Sequence, residues 1–239
     1  MKTFISNAEI STGTGSVSEI WENIFSKKEW GKYPSEAVIR FIARNFYNAK
    51  DRNAIKVLEL GLGTGANLWF CAREGLRVSG VDFSQSGIER FLGRMAAENL
   101  SAQVDKIAQG DYYERLDEFE NESFDAFIDS YSLAYNDFER TKAIIDKAVS
   151  KLKRGAKFLS ITPSVKNEGF EPDESLGYHL VKPIKGSDAF TGVIRFCDES
   201  DIQSLYSGAN YEITSIESIT HSKNGVVEND LFIIQGSKK

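Results

Sequence analysis

The chain has 239 residues, 41% of them apolar, with a formal charge of -6 and a pI near 5.2. That length and apolar content support one sizeable core, and the acidic balance offers no footprint for a phosphate backbone, so nucleic acid is not an expected partner. No run approaches the roughly 20 apolar residues of a membrane span, the opening MKTFISNAEISTG lacks the features of an export signal, and a cytoplasmic chain with no membrane partner is expected.

In chain order, SEIWENIFSKKEW (18–30) and PSEAVIRFIARNF (34–46) read as two helices joined by Gly31, Lys32 and Tyr33, with Pro34 at a helix start. Short, near-continuous apolar runs then recur at 55–60, 77–81, 103–108, 124–129 and 156–162, as strands buried on both faces do. Helical patterns lie between them at 66–74, 85–98 and 138–152, with Ser84 and Asp137 as N-caps and Gly75 and Gly155 just past the ends. Such alternation predicts an α/β fold, a parallel sheet with helices on both faces. After a helix at 199–208, YEITSIESITHS (211–222) and NDLFIIQGS (229–237) flank KNGVVE and read as an antiparallel hairpin. Cys71 and Cys197 are far apart in the chain and read as small buried residues rather than ligands or a disulfide.

The most informative stretch is LELGLGTGANLWF, residues 58–70. Here a strand reverses into a helix through Gly61, Gly63 and Gly65, which permit positive φ and a close backbone approach to a ligand. Gly61, Gly63 and Ala66 also fit the dinucleotide fingerprint, with Asp82 at the distance of a ribose-binding acid. Three features argue instead for a cationic ligand: Glu59, an acceptor-only group that repels phosphates; Asp111 and Tyr112 after the third strand, suited to an adenine amino group and ring; and the closing hairpin.

From about residue 55 onward the chain resembles class I S-adenosylmethionine-dependent methyltransferases of the small-molecule type. The resemblance is carried by LELGLGTG, VDFS, GDYY, FDAFIDSYSLAY, LKRGAKFLSITPS and the hairpin. It implies a Rossmann-like, seven-stranded, mostly parallel sheet of order 3-2-1-4-5-7-6 with strand 7 antiparallel. It also implies one domain over 1–239: an N-terminal helical cap (1–54), a cofactor-binding core (55–163), a substrate-lid insertion (164–197) and the C-terminal helix and hairpin (198–239). Carried over residue by residue, Glu59, Gly61, Gly63 and Gly65 would line the methionine part of S-adenosylmethionine, and Asn67 resembles an Asn of some small-molecule members. Asp82 would hold the ribose hydroxyls, and Phe83, with Ser84 beside it, would flank the adenine. Asp111 and Tyr112 would meet the adenine's edge and face, and Asp129 and Ser130 would lie near the sulfonium. No N/D-P-P-Y/F motif follows the fourth strand; Ser130, Tyr131 and Ser132 stand there.

The aromatic residues Trp30 and Tyr33 suit a lid over a sulfonium, because rings stabilise cations. An activated methyl needs alignment, exclusion of water and, for a hydroxyl acceptor, removal of a proton. His179, in the insertion, is the candidate base, with Tyr131 and Asp129 as the other catalytic candidates. Tyr131, Tyr135, Tyr178 and Arg195 are candidates for the acceptor pocket, Arg195 for a phosphate or carboxylate. The expected reaction is metal-free methyl transfer to oxygen or nitrogen of a small molecule, with a sugar or nucleotide-sugar as the first choice. An NAD(P)-dependent reductase and a non-catalytic S-adenosylmethionine-binding module or subunit are the rival readings, and the oligomeric state is open.

Overall fold

A computed structural model describes residues 16–27 and 30–239; residues 1–15 of the expected N-terminal cap, and 28–29 at the end of its first expected helix, lie outside the described residues. Helices α1 (Val17–Lys27) and α2 (Glu36–Phe46) precede β1 (Lys56–Leu60), α3 (Ala66–Arg73), β2 (Arg77–Asp82), α4 (Gln85–Ala97) and β3 (Val104–Gln109). A short α5 (Tyr112–Arg115), β4 (Phe124–Ser130), α6 (Phe138–Lys151) and β5 (Leu152–Pro163) follow. Two-residue strands β6 (Leu180–Val181) and β7 (Ile194–Arg195), then α7 (Glu199–Leu205), β8 (Tyr211–Lys223) and β9 (Val226–Lys238), complete the chain.

The main sheet has seven strands in the order β3-β2-β1-β4-β5-β9-β8. The first five run parallel, and β9 is antiparallel to both of its neighbours. This is the expected topology, strand for strand. Central strands are buried on both faces, as their apolar runs predicted: Val57, Ala126, Ile128 and Leu159 pack under α2, α3 and α4, while Leu58, Phe127 and Phe158 pack under α5, α6 and α7.

The local signals hold in most places. Ser84 accepts from Gly87 N and Asp137 from Arg140 N, so both cap as expected. Asn224 and Gly225 both take positive φ, 53° and 83°, which a two-residue turn matched to the twist of a hairpin requires. Two positions differ. Ser35, not Pro34, caps α2 by accepting from Val38 N, which leaves Pro34 one residue before the cap. Gly155 ends no helix: α6 stops at Lys151 and β5 starts at once. Its φ of +76° falls where pairing with β4 jumps from Phe124↔Leu152 to Ala126↔Lys157, so the glycine accommodates a bulge.

Candidate active site

A cavity of about 710 Å³ opens at the carboxyl ends of β1, β2 and β4, on either side of the place where strand order reverses, which is where open α/β sheets bind ligands. Its floor is the β1–α3 turn, with Glu59, Gly61, Gly63 and Asn67, flanked by Asp82, Phe83, Asp111 and Tyr112. Ser130, Tyr131 and Tyr135 line the side beyond β4, and Trp30 and Tyr33 lie across the opening segment. The structure thus gathers most of the sequence-predicted residues around one space.

Each is held by identifiable contacts. Asp82 accepts from Gly63 N at 2.7 Å and from Ser84 N at 2.8 Å, and burial pushes its carboxyl up. Asp111 caps α5 through Tyr113 N and Glu114 N and pairs with Arg140, so its carboxylate has structural duties beside its place at the cavity. The Tyr112 ring lies 5.7 Å from that of Phe83. Glu59 is only 1% exposed; Oε1 accepts from Asn67 Nδ2 at 2.6 Å, while the buried Oε2 has no hydrogen-bond partner among the described residues. Burial, with Asp82 and Asp129 nearby, pushes the Glu59 carboxyl up to about 8.

The three glycines correct one expectation. A Cβ on Gly61 would sit 2.2 Å from Ser132 Cβ, on Gly63 3.1 Å from the Phe25 ring, and on Gly65 2.1 Å from the Phe91 ring, all at positive φ. The close approach they allow is to the protein's own side chains. Gly61 and Gly63 still line the cavity, and Gly65 does not.

Asp129 lies behind the wall rather than in it. Fully buried, it accepts from Ser132 N, Ser132 Oγ, Leu133 N and Ser160 Oγ, which fixes the loop carrying Tyr131 at φ +77°. It positions the loop and does not reach the cavity. Ser84 is likewise withdrawn, its hydroxyl donating to Glu22 on α1.

The insertion corrects further expectations. His179 Nδ1 donates to Asp201 Oδ2 at 2.8 Å and its ring stacks 4.0 Å from that of Tyr178; neither residue lines the cavity. His179, Asp198 and Asp201 form the one group with metal-ligand spacing among the described residues, but the two carboxylates are already engaged in the capping box of α7. Arg195 is fully buried, donating to Asn136 O, Thr141 Oγ1 and Cys197 Sγ, and does not meet the cavity either. Side chains of one irregular segment leave on different faces, so only tertiary packing separates those that reach the site from those that do not.

What sequence reasoning missed comes chiefly from three segments. Helix α1 contributes Val17, Trp21 and Phe25, and the far end of the insertion, with the start of β9, contributes Ser187, Asp188, Thr191 and Asn229. The aromatic spacing of α1 was a usable signal; KGSDAFTG gave none that distinguished its acid from any other loop acid. Four acids, Glu59, Asp82, Asp111 and Asp188, line the cavity, and no Lys, Arg or His does among the described residues.

Residues 57–155 match a family described as a methyltransferase domain. No curated protein matches the sequence. Among solved structures, a SAM-dependent methyltransferase from Methanosarcina mazei is 15% identical with a TM-score of 0.65, over 86% of this chain and 98% of that one. The geranyl diphosphate C-methyltransferase from Streptomyces coelicolor A3(2), in complex with Mg2+, geranyl-S-thiolodiphosphate and S-adenosyl-L-homocysteine, is 11% identical with a TM-score of 0.68, over 95% and 99%. The [4+2]-cyclase SpnF is 14% identical with a TM-score of 0.66, over 94% and 97%. At these identities the likeness is one of fold, which hosts more than one chemistry. The domain match falls on the strands and turns that build the cavity floor, so residues 57–155 match a methyltransferase domain, and the chain carries it on a Rossmann-like sheet.

Proposed function

We propose that the chain transfers a methyl group from S-adenosylmethionine to a nitrogen or oxygen atom of a small molecule bound in the same cavity. The observation that carries this reading is the orphaned Glu59 Oε2, buried at the floor of an acid-lined cavity. An unsatisfied buried carboxylate oxygen costs free energy unless a donor or cation meets it, and a ligand bearing a sulfonium and an ammonium fits it better than a dinucleotide pyrophosphate. Glu59, Gly61, Gly63 and Asn67 would hold the amino-acid part, Asp82 the ribose, and Phe83, Asp111 and Tyr112 the adenine.

When bound, the cofactor supplies an activated methyl on a good leaving group, so direct transfer asks the protein for alignment and dryness rather than for a metal. Trp21, Phe25 and Trp30 line the cavity on the α1 side, where their rings would help to exclude water from a bound substrate. Tyr131 and Tyr135 shape the acceptor end. The same four acids disfavour a phosphorylated acceptor, so within the sugar class an uncharged or amino sugar is preferred to a nucleotide-sugar. Isothermal titration with S-adenosylhomocysteine, beside NADH and NADPH, tests the reading: micromolar binding of the first alone supports it, and preference for a nicotinamide refutes it.

A further inference from the structure

Asp188 is 5% exposed, stands in the wall of the cavity and has no role in the cofactor reading. Its Oδ2 accepts from Tyr131 Oη at 3.1 Å, Asn167 Nδ2 at 3.4 Å and Ser187 Oγ at 3.4 Å. Asn167 also donates to Asn229 Oδ1 at 3.0 Å, which ties the insertion to the start of β9. Oδ1 accepts no hydrogen bond from any described residue and is not among the buried atoms left unsatisfied, so it keeps some exposure in a residue that lines the cavity. No cation lies within ion-pairing distance of Asp188 among the described residues. Burial pushes this carboxyl up. A carboxylate held by neutral donors on one oxygen, with the other free of donors, is short of a positive partner among the described residues.

Resting on the methyltransferase reading above, we infer that Asp188 is the acceptor-binding carboxylate and that the acceptor is an amine, bound as an ammonium to Asp188 Oδ1. The surroundings agree with a cation: the Trp21 and Tyr135 rings, 5.4 Å apart and edge to face, line the same cavity, and ring faces attract ammonium groups. Asp188 then serves a second purpose. Proton transfer from the ammonium breaks an N–H bond, forms an O–H bond on Oδ1 and frees the nitrogen lone pair, which no protonated amine can offer as a nucleophile. The freed pair forms the N–C bond while the C–S pair stays with sulfur, and the proton on Asp188 passes to solvent as the product leaves. Tyr131 holds the carboxylate and is a positioning residue in this step.

The test uses the full chain saturated with S-adenosylhomocysteine and a panel of small primary and secondary amines, each with its alcohol and its phosphate-ester counterpart. Equilibrium dialysis with mass-spectrometric readout measures retention, and S-adenosylhomocysteine formation from S-adenosylmethionine measures turnover. The expected result is that amines alone are retained and methylated. Asp188→Asn should lower amine retention and kcat/KM at least about 100-fold while S-adenosylhomocysteine affinity stays within about twofold. Tyr131→Phe, which keeps the carboxylate, should lower kcat/KM about tenfold and shift its acidic limb upward, since a lost donor leaves the Asp188 anion less stabilised. Retention of alcohols or phosphate esters in preference to amines, retention of no amine, or an Asp188→Asn variant with unchanged amine binding overturns the assignment. Failure of the wild-type chain to bind S-adenosylhomocysteine would instead overturn the reading on which it rests. Cofactor affinity also shows whether Asp188→Asn has folded; if it has not, Tyr131→Phe decides.

Discussion

At the scale of single residues, the cavity is governed by carboxylates in low-dielectric surroundings. Glu59 is the extreme case, with a carboxyl pushed up to about 8 by burial and its acidic neighbours. Because its folded value lies above the unfolded one, its stabilising contribution is complete below about pH 4.5 and is lost as pH rises through about 8. A cationic ligand favours the ionised form, so cofactor binding should release a proton near neutral pH and tighten as pH rises toward 8. Titration in buffers of different ionisation enthalpy measures that release, and Glu59→Gln is expected to abolish its share. Asp82→Ala is expected to weaken S-adenosylhomocysteine binding by about 1–3 kcal/mol through lost charge-assisted ribose contacts. Unchanged affinity by calorimetry would remove Asp82 from the site. Both residues were legible in the sequence because motif spacing places them at strand ends. Asp188 was not, because its significance comes from Tyr131 and Asn167, which lie 57 and 21 residues away in the chain.

At the scale of elements, the β1–α3 turn depends on glycine for two reasons that act together. Gly65 adopts φ +77°, and a Cβ there would meet the Phe91 ring at 2.1 Å. Left-handed backbone costs a side-chain-bearing residue about 1–2 kcal/mol, and overpacking typically adds about 1–3 kcal/mol. Gly65→Ala is therefore expected to destabilise the fold by about 2–5 kcal/mol, read from the midpoint of chemical denaturation. Gly155→Ala, in open space at φ +76°, should incur only the backbone part. The turn's glycines were visible in the sequence, but their neighbours were not. A strand-to-helix junction predicts where the chain must bend, while Phe91 on α4 and Ser132 after β4 are brought there only by the sheet.

At the scale of the whole molecule, α1 covers the site without belonging to the sheet. Its Glu22 accepts from Ser84 Oγ, Ser86 Oγ and Ser86 N at the start of α4, an anion at a helix N-terminus, and Arg90 donates to Phe25 O at its other end. Trp21 and Phe25, beside these clamps, line the cavity. Glu22→Ala is expected to loosen the cover and speed S-adenosylhomocysteine dissociation by about tenfold, in line with the loss of hydrogen bonds to a charged group. Stopped-flow tryptophan fluorescence measures it, and an unchanged rate would show that α1 does not gate the site.

The sequence by itself determined the α/β class, the parallel core, the hairpin and the residues on the cavity floor. These follow from signals that are local: apolar runs of strand length, caps at helix starts, an Asn-Gly turn and acids at fixed distances past strands. Tertiary structure alone decided the side of the cavity beyond β4. His179, Tyr178 and Arg195 share the insertion with Ser187, Asp188 and Thr191, and nothing in their spacing says which turn toward the cavity. The pairing of His179 with Asp201, the burial of Arg195 against Asn136, Thr141 and Cys197, and the Tyr131–Asp188–Asn167 network make that choice. Each joins segments distant in the chain, and a contact of that kind exists only once the sheet has assembled and brought them together.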